Sequence, residues 1–216
     1  MKGLENLVHE LQSITSEKEI IQKLQSINTL LLTKYVLKIG DIKVIPLWIE
    51  AYYYDPKKFC DENTHRSPRQ KNRMGMLYQH THADTETNGG VDLCLSDGDY
   101  YLSFLIKASL IDGEFCKQER TYGKMSKTGL NLEELKDILI CDSRACEVCH
   151  TQRIGLTKAS YKDAPLASLP IDKIKDYPFD NKESLVKEYI DSLLSAERER
   201  KCIELLGYRS SFVLGK

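Results

Sequence analysis

At Lys34 the spacing of apolar residues changes from the period of a helix to that of a strand, and this switch sets the fold class. Before it, Leu4, Leu7, Val8 and Leu11 share one helical face, and Ile20, Ile21, Leu24, Ile27, Leu30 and Leu31 form a second apolar stripe. Ser16, with Glu19 three positions on, fits a capping box opening the second helix. After the switch, Tyr35–Ile39 and Ile42–Ile45 flank Gly40-Asp41, the residue types of a tight hairpin turn. The second strand is expected to continue towards Tyr54, with a bulge or edge position at Pro46, which has no N–H for the ladder. Helices followed by strands imply an α+β protein, and 216 residues hold one sizeable core rather than two. We expect a helical segment over 1–31, a core over 32–180, and a terminal helix over 181–208 built on Leu185, Val186, Tyr189, Ile190, Leu193 and Leu194.

Residues 55–75 are polar, carry prolines at 56 and 68, and read as a long functional loop with Arg66, Arg69, Lys71 and Arg73 as its candidate phosphate contacts. Strands near 76–82 and 91–96 bracket Ala83–Gly90, and Asp97-Gly98 announces a third strand over Tyr100–Ile111. A short helix is expected over 131–140, a cysteine-rich connection over 141–150, and irregular chain over 151–180.

Thirty-one basic against 32 acidic residues leave a formal charge of −1, so composition lends nucleic acid no support and a partner must be argued from motifs. Charges run through the first 30 residues and no apolar stretch reaches 18, which predicts neither export nor a membrane partner, and places the chain in the cytoplasm. Its seven cysteines are then reduced thiols or metal ligands. Cys141, Cys146, Cys149 and His150 offer four soft ligands in ten residues, a spacing that suits Zn or an iron–sulfur centre. A structural Zn usually draws on two separated ligand pairs, so the competing reading is a connecting segment of partly buried thiols.

Strand alternation puts Glu50 and Tyr52 on one face of an otherwise apolar and aromatic run, Trp48-Ile49-Glu50-Ala51-Tyr52. A carboxylate is costly to desolvate among aromatics and is poised there as a general base. The plainer alternative is an acid at a strand end that faces water and deters edge pairing.

The run from Leu30 to His82 resembles the methylpurine (alkyladenine) DNA glycosylases. Glu50-Ala51-Tyr52 matches the family's Glu-Ala-Tyr strand, His65 stands where its pocket histidine falls, Ser67-Pro68-Arg69-Gln70 resembles its basic stretch, and Leu77-Tyr78-Gln79-His80 its aromatic strand. Further on, Phe104–Ala108 is similar to the strand ending in Leu-Arg-Ala, and Arg153–Lys158 to the Arg-Ile-Gly segment. The matches are collinear over about residues 29–160. The resemblance implies a single α+β domain with a central, mainly antiparallel, curved sheet flanked by N- and C-terminal helices. It also implies a cofactor-free hydrolase of base-excision repair that flips an alkylated purine out of damaged DNA, stacks it between rings, and activates a water with Glu50. By the same carry-over Lys107 assists catalysis, and Tyr52, His65, Tyr78, His80 and Cys94 line the pocket. His80 stands in place of a tyrosine, Lys107 of an arginine, and Cys94 of an asparagine.

Other departures fall on the DNA grip. The stretch Ala83–Gly90 has no aromatic wedge, and Asp84 and Glu86 would face phosphates. A diverged purine- or nucleoside-binding protein is therefore carried as a second expectation, and Zn binding through the cysteine cluster as a third.

Overall fold

The computed structural model describes residues 2–80, 89–184 and 186–196. The chain divides into two compact units, Met1–Ile174 and Lys175–Lys216. The first holds a mixed α+β fold with a curled antiparallel sheet.

Two helices come first, α1 (Lys2–Ser13) and α2 (Glu17–Lys34). They bury the predicted stripes: Leu4, Val8 and Leu11 in α1, then Ile20, Leu24, Ile27 and Leu31 in α2. Ser16 occupies the N-cap without a side-chain cap bond, so the expected capping box is not made; the fully buried Ile20 anchors that first turn instead.

The strands are β1 (Tyr35–Ile39), β2 (Ile42–Asp55), β3 (Phe59–Cys60), β4 (Met76–His80), β5 (Gly90–Cys94), β6 (Tyr101–Ile111), β7 (Glu114–Lys117), β8 (Leu139–Cys141), β9 (Val148–Thr151) and β10 (Ala167–Pro170). The main path runs β4-β5-β6-β2-β1-β8, with β10 joining the middle of β2 and β9 pairing β10. The 14-residue β2 is its axis. Its register with β6 shifts between Pro46 and Trp48 and again between Trp48 and Ile49, the irregularity that a proline without a donor requires. One face of β2, with Ile49, Ala51 and Tyr53, enters the apolar core beside Leu77, Leu93, Leu102, Phe104 and the two helices. The other face, with Glu50, Tyr52 and Tyr54, is the polar one.

Two expectations about secondary structure need correction. The helix expected over 131–140 is a single 3-10 turn, Leu132–Glu134, followed by β8, because Leu139 to Cys141 complete the outer edge of β1. The stretch expected to be irregular contains β10 and the short helix α4 (Ile171–Ile174). Between β6 and residue 131 the chain makes a tight turn at Asp112-Gly113, both at positive φ, then β7 and the helix α3 (Gln118–Ser126). In the second unit a 3-10 turn, Asn181–Glu183, leads into helix through residue 196; the rest of the predicted terminal helix, and the hairpin tip at 83–88, lie outside the described residues. No described helix is long and apolar enough to cross a membrane.

Candidate functional site

Register aligns the polar face. Glu50 pairs Leu105 of β6, Leu105 pairs Asp92 of β5, and Asp92 pairs Tyr78 of β4, so all four share one side of the sheet. The neighbouring row is Tyr52, Ser103, Cys94 and Met76. Lys107, partly exposed, is the extra residue of β6 at a bulge two residues beyond Leu105, since Ile106 pairs Ile49 and Ala108 pairs Trp48.

Glu50 is wholly buried, which removes the alternative of a solvent-facing acid at a strand edge. Its Oε2 accepts the Tyr52 hydroxyl at 2.8 Å, and its Oε1 accepts the Ile154 N–H at 3.3 Å. Burial, and next the Glu50 carboxylate, raise the Tyr52 phenol well above its usual pKa, so it stays a donor through the physiological range. The Arg153 guanidinium lies 4.6 Å from the centre of the Tyr52 ring. Its Nη1 donates to Asp61 Oδ2 at 2.5 Å and to the Ala51 carbonyl at 3.1 Å, and Nη2 donates to the Tyr161 carbonyl at 3.4 Å. Both ion-pair side chains have no exposure. A carbonyl between Glu50 and Tyr52, the ring of Tyr52 and the amide that caps Glu50 are thus all held from one arginine segment.

A second cluster fills the β4–β5 end of the face. The His65, Tyr78 and His80 rings lie 5.1 to 5.4 Å apart, and the Tyr78 hydroxyl meets His65 Nε2 at 2.9 Å. Arg69 stacks over Tyr78 at 5.0 Å. Asp92, 2% exposed, accepts Gln70 Nε2 and Ser103 Oγ at Oδ2, and its Oδ1 lies 2.9 Å from His80 Nε2. Three of the expected pocket residues therefore come together. Cys94 lies in the row but is fully buried, and burial raises its thiol well above the ordinary range, which makes it wall and not a reactive group.

The four basic loop residues do not form one stripe of open charge. Arg66 stacks on Tyr54 at 4.6 Å, and Lys71 sits 5.2 Å over Tyr101 while pairing Asp99. Arg69 pairs Glu133 at 3.3 Å. Arg73 turns inward to the carbonyls of Leu77 and Glu133, so it braces the loop instead of facing a phosphate. Sequence reading missed Asp61, Gln70, Asp92 and Ser103. Alternation within β5 puts Asp92 on the face of Cys94 but gives it no partner, and nothing local marked Asp61, whose partner lies 92 residues away.

Among the described residues no three His, Cys, Asp or Glu side chains are placed to hold a metal. Cys149 and His150 are adjacent on β9 and so point to opposite faces. Cys149 donates to the Leu169 carbonyl and burial pushes it up to about 11, while His150 meets Ser168 Oγ at 2.7 Å. Since the thiolate is the reactive form, a thiol reagent at neutral pH should label the exposed Cys60 and Cys141 quickly and Cys94, Cys116 and Cys149 only after denaturation. Mass spectrometry of the labelled peptides checks this, and fast native labelling of Cys149 would contradict its placement.

Compared with known proteins, the chain matches no family model, and no curated protein shows significant similarity to it.

Proposed function

We propose that this protein hydrolyses the N-glycosidic bond of alkylated purines in DNA, as a cytoplasmic enzyme of base-excision repair. The observation that carries the reading is a wholly buried carboxylate, Glu50, on the same sheet face as Tyr52 and the His65–Tyr78–His80 ring cluster. A purine alkylated on a ring nitrogen is cationic, so electron-rich rings attract it by stacking and cation–π forces. Its departure takes the bond electrons onto the ring nitrogen and leaves a neutral base. The water that replaces it at C1′ gives its proton to Glu50, each of whose oxygens keeps a second lone pair beside its present bond. The Tyr52 and Ile154 donors fix the carboxylate, and Lys107, at the β6 bulge two residues beyond Leu105, is the cation for a flanking phosphate. Arg66, stacked on Tyr54, supplies further positive charge. The reaction asks for no cofactor.

A second reading, a purine- or nucleoside-binding protein without turnover, is favoured by the acids that already neutralise Arg69 and Lys71. One experiment separates the two. DNA carrying 7-methylguanine is incubated with the protein, and free base is measured by chromatography. Release supports hydrolysis; intact DNA together with a thermal shift on adding purine nucleosides supports binding alone.

A further inference from the structure

We infer that Arg66, Tyr54 and Tyr101, at the far end of the polar sheet face, form a stacking shelf for an unpaired nucleobase, and that the DNA this protein takes is single-stranded there. The inference rests on the nucleic-acid part of the reading above and names its substrate class.

Three pairs of side chains run along that face from Glu50. Glu50 pairs Leu105, Tyr52 pairs Ser103, and Tyr54 pairs Tyr101. Tyr54 lies four residues from Glu50, about 13 Å along an extended strand, which is within reach of a neighbouring nucleotide of the same DNA chain. The two tyrosines end the face edge to face, with ring centroids 6.4 Å apart at 62°. Both are partly exposed, and neither hydroxyl has a hydrogen-bond partner among the described residues.

Arg66 completes the shelf. The carbon of its guanidinium lies 4.6 Å from the centre of the Tyr54 ring. The residue is exposed and makes no hydrogen bond or ion pair among the described residues. Its neighbours in the loop are committed elsewhere: Arg69 pairs Glu133, Lys71 pairs Asp99 while sitting over Tyr101, and Arg73 turns in to the carbonyls of Leu77 and Glu133. An exposed cation–π contact adds little to stability, so the fold gains little from holding this side chain flat. What the contact does supply is a plane. A guanidinium is flat and weakly hydrated, and when one side rests on a ring the other offers a surface on which a base stacks.

Charge decides between strand and duplex. Duplex binding depends on neutralising many phosphates, yet the chain has a formal charge of −1 and three of the four loop cations are already engaged. A paired base, moreover, has both faces covered by its neighbours in the stack. An unpaired base has a free face, and aromatic rings and arginine hold it whatever its identity. Stacking on Arg66 and Tyr54 therefore supplies for a single strand the hold that charge does not supply for a duplex.

Binding to undamaged DNA tests this apart from the chemistry. Fluorescence anisotropy at one salt concentration gives the Kd of a labelled single strand of about 12 nucleotides, of its duplex, and of the same backbone with abasic sites in place of the bases. Wild type is expected to bind the strand about 5-fold or more tighter than the duplex or the abasic backbone, the lower end of what one stacked base contributes. Arg66→Lys keeps the charge and loses the plane, and Tyr54→Leu removes the ring beneath it; each should erase most of the difference between strand and abasic backbone. Both Kd values in that ratio come from one preparation, so a partly misfolded variant leaves the ratio unmoved. A duplex bound as tightly as the strand, a ratio that neither variant lowers, or no binding at all overturns the shelf. Release of 7-methylguanine in any of those cases leaves the role of Glu50 standing without it, whereas a strand bound as expected with no base released keeps the shelf and removes the hydrolytic reading.

Discussion

Glu50→Gln is expected to slow base release by about 100- to 10,000-fold, the range of a positioned general base, while leaving the melting temperature unchanged or higher. The two halves of that expectation have one cause. Glu50 has no exposure and no basic side chain hydrogen-bonded to it among the described residues; its only partners are the Tyr52 hydroxyl and the Ile154 N–H. Two neutral donors offset only part of the cost of withdrawing a carboxylate from water. In the amide, Oε1 still accepts from Ile154, and the new NH₂ can donate to a Tyr52 hydroxyl turned to accept. The pocket is thus satisfied without a charge, and what is lost is the ability to take a proton. Single-turnover rates with a thermal melt of the same samples check both halves. A melt lowered by several degrees would mean that Glu50 is retained for stability, and an unchanged rate would remove it from the chemistry.

The parts of this site written in local period were legible, and the parts written in long-range contact were not. Alternation along β2 placed Glu50 and Tyr52 together, and the missing donor of Pro46 announced the register shift. The two N-terminal helices followed from their apolar stripes. By contrast, β8 is strand because β1 offers it an edge, and residues 139–141 carry too few side chains to state a period of their own. The Asp112-Gly113 turn carries a local signal of its own, the Asp-Gly pair of a tight hairpin with both residues at positive φ. The loop basics were read as one functional set because sequence shows charge without its neighbours. Glu133, 60 residues beyond Arg73, pairs the exposed Arg69 through its carboxylate and holds Arg73 inward through its carbonyl. Likewise Asp92 reads as an ordinary strand acid until β4 and β6 bring His80 and Ser103 to it.

Asp61→Asn and Arg153→Met should each cost about 3–5 kcal/mol of stability, and the double variant well under the sum of the two. Both side chains are fully enclosed, so each single change leaves its partner's charge buried and unpaired, whereas the double change removes both. Against a typical total of about 5–15 kcal/mol, either single variant approaches the unfolding threshold. Arg153→Lys should rescue little. One ammonium cannot bond Asp61, the Ala51 carbonyl and the Tyr161 carbonyl while also lying flat over Tyr52. Urea unfolding of the four proteins of the cycle gives the coupling, and additive costs would mean that the pair is not the unit the geometry describes. The same substitutions bear on the reaction through position. Arg153 sets where Ile154 presents its N–H to Glu50 and where the Tyr52 ring stands, so in whatever fraction of Arg153→Lys stays folded, kcat should fall more than KM rises. A loss confined to KM would instead make Arg153 a substrate-binding group, which its burial beneath Tyr52 argues against.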